Sequence, residues 1–419
     1  MNPAKWDVIV IGAGPGGLAA AIAADKAGAR VCLVEREGRP GGILKQCIHD
    51  GFGLVRFGQK LSGPEYAFRD IQEVKGRGIK LFTNTFLLAL DRGEEGFILT
   101  LQNSEDAVFR MEAKALVAAT GCRERTARQV FIHGQRPAGV YTAGTVQRLI
   151  NISGHLPGRN SVILGSGDIG LIMARRLTLE GAKVLGVYEI KPEPSGLTRN
   201  IVQCLEDYNI PLHLSTTITK VHGSERTEGV TVSRVDEKMR PLPGTEEYVP
   251  CDTLVLSVGL IPENDILQPL GLETDPRTGG PVVDQLLATS EPGLFSCGNA
   301  LHVNDLVDYV SESGEIAGVS AARYALGAYT QPCYMPIIPQ GEIHYVVPQR
   351  LDVAPGGKGI IYFRAARTLT DASLVIRTGD RVLLKKKYIS LRPPEMERIV
   401  LDLSLLPSGE ENIFLELRG

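Results

Sequence analysis

Two glycine-rich segments constrain the fold of this 419-residue chain more than any other feature. The first follows the apolar run 8–11 and the second follows 162–164, as expected where a buried parallel strand turns directly into a helix. In the GxGxxG spacing the first glycine permits a tight turn, the second admits a pyrophosphate, and the third lets the helix pack on the strand. The matching glycines are Gly12, Gly14 and Gly17 in the first segment and Gly165, Gly167 and Gly170 in the second.

Both segments continue in the same way, which indicates an internal repeat. Each is followed by a second strand pattern that ends on an acid, Glu35 in one copy and Glu189 in the other. A carboxylate at this position accepts hydrogen bonds from ribose hydroxyls, while phosphate lies on the N–H groups that open the helix. We therefore predict two dinucleotide sites, an arrangement typical of proteins that pass electrons between two nucleotides. The alternative, one site beside a chance glycine cluster, does not explain why strand, glycines, helix and acid recur together.

Composition excludes several classes of protein. The net charge of −3, with both signs interspersed, gives no basic surface for nucleic acid. Glycines interrupt the N-terminal apolar stretch, so we expect neither a signal peptide nor a transmembrane segment. The seven cysteines are scattered, which predicts reduced thiols and a cytoplasmic location. No two cysteines lie within four positions, so we expect no CxxC pair and no metal centre.

Four further motifs give the chain a family resemblance. Over about residues 5–330 it resembles the pyridine nucleotide–disulfide oxidoreductase superfamily of flavoproteins. That resemblance implies an α/β fold with two Rossmann-like dinucleotide-binding domains, the NAD domain being inserted in the FAD domain. It also implies FAD on the first fingerprint and NAD(P)H on the second. The four motifs are Gly41-Gly42, the segment 118–122 (AATGC), the segment 254–264 and the segment 288–299, which ends in CGN.

The resemblance assigns cofactor residues one by one. For FAD they are Gly12, Gly14, Pro15, Gly16, Gly17, Glu35, Arg36, Gly41, Gly42, Phe86, Thr120, Gly121, Gly298, Asn299 and Asp305. For the nicotinamide dinucleotide they are Gly165, Gly167, Asp168, Ile169, Gly170 and Glu189. Glu189 favours NAD(H) over NADP(H) because a carboxylate repels a 2′-phosphate, although Lys191 and Arg199 oppose this preference. Two of these residues have an alternative role. Phe86 could be a core residue, and Asp305 could cap the N-terminus of the predicted helix 306–326.

Departures from the family pattern point away from a disulfide reductase. The motif that usually ends in Gly-Asp ends here in Gly298-Asn299, and only one cysteine, Cys47, follows Gly41-Gly42. In this fold the segment after Gly-Gly passes the flavin ring, which makes Lys45, Cys47 and His49 the candidate catalytic residues. Each has a structural alternative: a solvated lysine, a packed small hydrophobic residue and a histidine bonded to a backbone carbonyl.

The segment 41–58 also resembles a narrower group, the flavoproteins found with bacterial multi-subunit anaerobic glycerol-3-phosphate dehydrogenases. More distantly it is similar to the larger subunits of opine and related amine oxidases. This resemblance implies an FAD subunit that exchanges a hydride with NAD(H) and electrons with a partner dehydrogenase subunit. It further implies a small cysteine-containing electron-transfer protein. Two alternatives stay open: a stand-alone NAD(P)H oxidase or reductase of O₂, quinone or a small molecule, and a non-catalytic flavin-bearing structural subunit.

Three domains in four consecutive segments are predicted along the chain. Residues 1–122 begin the FAD domain, 123–252 form the NAD(P) domain, 253–330 complete the FAD domain, and 331–419 form a small all-β domain. Alternating apolar residues predict about six strands in the last domain, with turn signals that begin at Pro355, Thr378 and Pro407. A sandwich that docks a partner subunit is the expectation for this domain.

Overall fold

The computed structural model describes residues 4–329, 332–353, 357–406 and 412–419. Its contacts divide the chain into two compact units, Met1–Cys122 with Pro262–Gly419, and Arg123–Ile261. The three domain boundaries given by the sequence stay predictions. The turn signals at Pro355 and Pro407 lie outside the described residues.

The first unit begins with a seven-stranded sheet. Strands β1, β2, β5 and β8 run parallel, and β6–β7–β8 form an antiparallel meander, in the order β5-β2-β1-β8-β7-β6. Residues 8–11 of β1, all of β2 and residues 115–118 of β8 are buried, which explains the continuous apolar sequence of these segments. The elements up to residue 124 are β1 (Ala4–Ile11), α1 (Pro15–Lys26), β2 (Val31–Val34), β3 (Asp50–Phe52), β4 (Leu61–Ser62), α2 (Gly63–Gly76), β5 (Lys80–Phe82), β6 (Phe86–Arg92), β7 (Phe97–Asn103), β8 (Ala107–Ala118) and β9 (Cys122–Glu124).

The second unit repeats the doubly wound pattern on a smaller scale. A five-stranded parallel sheet has the order β11-β18-β12-β13-β14, and a four-stranded sheet has the order β10-β15-β16-β17. Its elements are β10 (His133–Gly134), β11 (Val140–Thr142), α3 (Ala143–Asn151), β12 (Asn160–Leu164), α4 (Asp168–Leu179), β13 (Lys183–Tyr188), α5 (Thr198–Cys204), β14 (Leu212–His213), β15 (Thr216–His222), β16 (Gly229–Arg234), β17 (Glu247–Pro250), β18 (Thr253–Leu256) and β19 (Leu260–Pro262), the last of which ends one residue into the first unit.

The chain then completes the first unit with one strand, one long helix and a β sandwich. β20 joins the first sheet beside β8, and α6 packs on α1, where Gly314 and Gly318 face the backbone oxygens of Gly16 and Ala20. The elements are β20 (Leu294–Ser296), α6 (Val307–Ala325), β21 (Tyr334–Gly341), β22 (Ile343–Val347), β23 (Arg350–Asp352), β24 (Lys358–Ala365), β25 (Leu369–Thr378), β26 (Arg381–Leu391), β27 (Met396–Asp402) and β28 (Ile413–Arg418).

The sandwich consists of a five-stranded sheet, β23-β21-β28-β25-β26, and a three-stranded sheet, β22-β24-β27, around one apolar core. The sequence prediction of six strands misses β21 and β23. Pro336 and Pro339 interrupt the apolar alternation of β21, and β23 has only three residues. The predicted fold class, two Rossmann-like units with a C-terminal β region, is confirmed. Within the described residues, none of the helices combines the length and the apolar character needed to cross a bilayer.

Candidate functional site

The first fingerprint forms a tight turn between β1 and α1. Gly12 has φ +100°, and a Cβ added there would lie 2.4 Å from the carbonyl oxygen of Ala119 at the end of β8. A Cβ at Gly17 would lie 1.8 Å from the carbonyl oxygen of Gly12. Since α1 also begins without a side-chain cap at Gly14, its first N–H groups stay available to an anion.

The acids that follow the two fingerprints are buried and held in the same way. Glu35 accepts hydrogen bonds from the backbone N–H groups of Ala13 at 2.8 Å and Glu37 at 2.8 Å. The second acid, Glu189, accepts from the N–H groups of Ser166 at 3.0 Å and Lys191 at 3.1 Å. In both copies the partners are the residue after the first glycine and the residue two positions after the acid. The internal repeat therefore extends to individual hydrogen bonds.

The second fingerprint carries contacts that the first lacks. The Ser166 hydroxyl donates to Glu189 at 2.6 Å and accepts from the N–H of Ser195 at 2.8 Å. The Asp168 carboxylate accepts from the N–H of Leu197 at 2.9 Å and from the Asn200 side chain at 2.6 Å. Asp168, predicted to bind the cofactor, thus holds the loop 195–200 against the start of α4.

The Gly41-Gly42 segment crosses directly over the first fingerprint. The N–H of Gly41 donates to the carbonyl oxygen of Ala13 at 2.8 Å. A Cβ at Gly42 would lie 2.9 Å from the Cα of Gly14. This close approach explains why glycine is required at position 42, and it brings the segment 41–58 to the nucleotide turn.

The three candidate catalytic residues of this segment each have a local partner. Lys45 pairs with Glu37 and donates to the carbonyl oxygen of Arg39 at 2.7 Å, which ties it to the residues after Glu35. Cys47 donates from Sγ to the carbonyl oxygen of Ile43 at 3.4 Å. The His49 ring lies against Phe52, with Nδ1 3.2 Å from the carbonyl oxygen of Asp50. Because a carbonyl only accepts, Nδ1 carries the proton there and Nε2 is the atom left to exchange one.

The residues that follow β8 and those of the CGN motif lie on another side of the first fingerprint, where Gly12 faces Ala119 and Gly16 faces Cys297. The Thr120 hydroxyl donates to the carbonyl oxygen of Glu263 at 2.6 Å, and the N–H of Glu263 donates to Gly121 at 2.9 Å. Asn299 accepts at Oδ1 from the N–H of Asn304 at 3.0 Å. Phe86 is 52 % exposed, so it is not a core residue. Of the other predicted residues, Pro15 and Gly16 lie in the first turn of α1, Arg36 follows Glu35, and Gly298 precedes Asn299. In the second unit, Ile169 lies in the first turn of α4.

Asp305 and Asp308 are engaged by other parts of the chain. Asp305 pairs with Arg364 and accepts from the N–H of Met396 at 2.5 Å, so its carboxylate faces the β sandwich. Asp308, which the cofactor prediction does not include, accepts from the N–H groups of Gly53 at 3.2 Å and Arg56 at 2.8 Å. Asp308 thereby fastens the segment 41–58 to the first turn of α6.

Two titratable groups beside the CGN motif are uncharged at neutral pH. Burial, reinforced by the nearby Arg364 charge, lowers the pKa of His302 to about 3. Burial raises the pKa of the Cys297 thiol to about 12. These residues therefore present a neutral imidazole and a protonated thiol, and neither supplies charge to a bound cofactor.

The residues present fit a flavin dinucleotide. Side chains at Gly12 and Gly17 would collide with backbone carbonyls, so only glycine keeps this turn tight. The buried Glu35 is bonded to the turn at Ala13, and α1 presents its N-terminal N–H groups without a side-chain cap. Fold and sites together define an oxidoreductase of the FAD- and NAD(P)H-binding class.

The family described as pyridine nucleotide-disulphide oxidoreductase matches residues 6–325, and the chain belongs to this family. FAD and NAD(P)H are its cofactors, so the cofactor prediction is confirmed.

Three relatives match between 63 % and 77 % of this chain. The chain is 28 % identical over 285 residues to hydrogen cyanide synthase subunit HcnB of Pseudomonas aeruginosa, which covers 63 % of this chain and 59 % of the relative. It is 25 % identical over 349 residues to an opine oxidase subunit of Agrobacterium tumefaciens, covering 77 % and 65 %. It is 26 % identical over 339 residues to thioredoxin reductase of Listeria monocytogenes, covering 76 % and 93 %. The chain thus spans less than two thirds of the length of the first two relatives.

Among solved structures, thioredoxin reductase of T. acidophilum superposes with a TM-score of 0.63 at 22 % identity. That match covers 77 % of this chain and 99 % of the other. At this identity the likeness concerns the fold alone. The narrower resemblance to flavoproteins of glycerol-3-phosphate dehydrogenases stays a prediction.

Proposed function

We propose that this chain transfers a hydride between NAD(H) and FAD and exchanges the electrons with a partner dehydrogenase subunit. The observation that carries the proposal is the matched pair of buried acids, each bonded to its own glycine turn. When bound, FAD supplies the hydride-accepting chemistry. The chain binds and orients the two dinucleotides at its two glycine turns and sets the electrostatic environment of both.

In this proposal the first fingerprint holds FAD. The N–H groups of α1 take the pyrophosphate, Glu35 takes the ribose, and Lys45 fixes the residues after Glu35 through Glu37. The N-terminus of α6 would present the positive end of a helix dipole to a flavin bound beside it, and would there favour negative charge. We propose His49 Nε2 as the atom that exchanges protons with solvent, since Nδ1 is committed to the Asp50 carbonyl.

The second fingerprint is proposed to prefer NAD(H) to NADP(H). Glu189 is buried and its carboxylate is fixed by the N–H groups of Ser166 and Lys191. A fixed negative charge repels the 2′-phosphate that distinguishes NADP(H). Lys191 and Arg199 carry the opposing charges, and their side chains are not buried.

The proposed redox partner, a separate subunit, is supported by two observations. Hydrogen cyanide synthase subunit HcnB and the opine oxidase relative are each named as one subunit of an enzyme. In addition, the segment 41–58, which crosses the first fingerprint, exposes four large apolar side chains, and such exposure is typical of interaction sites. They are Ile43, Ile48, Leu54 and Val55. From the narrower resemblance we propose two partners, a small cysteine-containing electron-transfer protein and a glycerol-3-phosphate dehydrogenase subunit.

Anaerobic stopped-flow absorbance of the isolated holoprotein tests the proposal. We expect NADH to bleach the flavin faster than NADPH at equal concentration, and glycerol 3-phosphate alone to leave it oxidised. Bleaching by glycerol 3-phosphate alone would place the substrate site in this chain and contradict the partner proposal. A flavin that neither nucleotide reduces would contradict hydride transfer and favour a structural subunit.

A further inference from the structure

One buried arginine joins the C-terminal sandwich to the segment that follows the CGN motif. Arg364 lies on β24, and its side chain is 13 % exposed. Its guanidinium pairs with Asp305 and donates to the carbonyl oxygen of Val303 at 3.2 Å. It also donates to the Tyr345 hydroxyl at 2.8 Å and to the carbonyl oxygen of Pro394. A buried guanidinium is stable only when its donors are satisfied, and this one is satisfied on both sides of the junction.

The segment that Arg364 holds fixes the orientation of Asn299. Asn304 lies between Val303 and Asp305. Its backbone N–H donates to Asn299 Oδ1 at 3.0 Å, and its side-chain Nδ2 donates to the same oxygen at 3.3 Å. Because a backbone N–H only donates, the atom of Asn299 that faces it is the amide oxygen. Asn299 Nδ2 therefore points the other way, where it donates to Sγ of Cys122 at 3.5 Å.

We propose that Arg364 is a positioning residue for the flavin site, acting through residues 303–305 to fix the side-chain amide of Asn299. The inference rests on the proposed FAD site. Asn299 stands where the family pattern has aspartate, so it offers an N–H donor where a carboxylate offers only acceptors. Because Asn299 Oδ1 accepts both hydrogen bonds from Asn304, the side chain is fixed with Nδ2 as its outward-facing donor. The sandwich is thereby part of the flavin site, in addition to any role in docking.

The competing explanation is that Arg364 only fastens the sandwich to the rest of the unit. The chain offers a matched control for that role. Arg398 on β27 forms a two-pronged ion pair with Glu312 of α6, with N–O distances of 2.6 and 2.9 Å. This pair joins the same two parts of the unit, and Glu312 also accepts from the Tyr362 hydroxyl of β24 at 2.5 Å. Within the described residues, none of these hydrogen bonds involves residues 303–305.

The test compares full-length Arg364→Met and Arg398→Met with the wild-type holoprotein. FAD affinity is measured from flavin fluorescence released on dilution, and the setting of the isoalloxazine from its visible circular dichroism. We expect Arg364→Met to weaken FAD binding about tenfold, the effect of losing hydrogen bonds made by a charged donor, and to change the dichroism. We expect Arg398→Met to lower thermal stability while leaving FAD affinity within about twofold of wild type and its spectrum unchanged.

A second variant keeps the test decisive if Arg364→Met does not fold. Arg364→Lys keeps the charge beside Asp305, but a single ammonium group cannot reach all the partners of the guanidinium, so it should show the same changes at smaller size. Equal effects of the substitutions at Arg364 and Arg398, or wild-type flavin properties in the Arg364 variants, would overturn the inference. Failure of the wild-type protein to bind FAD would instead overturn the flavin site on which it rests.

Discussion

Replacing Gly165 by alanine should disable the second nucleotide site and spare the first. Gly165 has φ +97°, and a Cβ added there would lie 2.0 Å from the carbonyl oxygen of Ser257, at the end of β18. Real Cβ atoms essentially never come within 3.0 Å of such an atom, so the turn and Ser257 must separate by about 1 Å. Misplacement of that size at a site where reactants are aligned can reduce a rate by about 10²-fold.

Gly181 in the same unit provides the control. It also has a positive φ, +86°, but within the described residues no heavy atom lies within 4 Å of its added Cβ. Alanine at either position carries the penalty of a left-handed backbone, about 1–2 kcal/mol. The two variants should therefore lose similar backbone stability, and only Gly165→Ala should also displace the end of β18.

Stopped-flow reduction by NADH, together with flavin content from absorbance, separates the two effects. We expect Gly165→Ala to retain its FAD and to lose about 10²-fold in the rate of flavin reduction at subsaturating NADH. Gly181→Ala should retain both FAD and the wild-type rate. The reasoning is refuted if the two variants are reduced at the same rate, or if Gly165→Ala loses its FAD.

Three further predictions concern single side chains. Burial raises the pKa of Asp284 to about 6. Since this exceeds the value of about 3.9 in unfolded chains, stability should fall as pH rises from about 4 to 6. Asp284→Asn should remove this penalty, on the order of 2–3 kcal/mol at pH 7.5 and little at pH 4, and a pH-independent shift in thermal unfolding would contradict it. Glu189→Gln removes the charge that opposes a 2′-phosphate, so the ratio of kcat/KM for NADPH to that for NADH should rise; an unchanged ratio would reject the specificity argument. Cys47→Ala should keep the rate of reduction by NADH, because the proposed hydride transfer forms no bond to the chain, and a large loss would assign chemistry to the thiol.

The sequence predicts the parts of this fold that are encoded locally. Apolar runs, glycine spacing and terminal acids are all read within about 30 consecutive residues, and the two Rossmann-like units follow from them. The same motifs indicate Glu35 and Glu189, and the structure places both beside their turns. Which residues hold those acids was not predicted, because a backbone N–H donor has no sequence signature.

The contacts that complete the site are long-range, and the sequence did not reveal them. The sequence predicts Asp305 as a helix cap or a cofactor ligand. In the structure its carboxylate pairs with Arg364 and accepts a hydrogen bond from the backbone N–H of Met396, both in the sandwich. Nothing in the alternating pattern of β24 distinguishes Arg364 from a solvated arginine. Asp168 likewise reads as part of a nucleotide turn, and only the folded loop shows that it binds Leu197 and Asn200.

The two copies of the repeat differ in what covers the glycine turn, and this difference bears on their roles. Distant segments cover the first turn: Gly41-Gly42 crosses it, and Gly314 of α6 packs on Gly16. The second turn is bonded to the loop 195–200, which follows it closely in sequence. Each turn also packs against the end of a neighbouring strand, at Ala119 in the first copy and at Ser257 in the second. The difference lies in the remaining contacts, which come from distant segments at the first turn and from the nearby residues 195–200 at the second. This difference agrees with the proposed assignment, in which FAD stays bound at the first site and NAD(H) enters and leaves the second at each turnover.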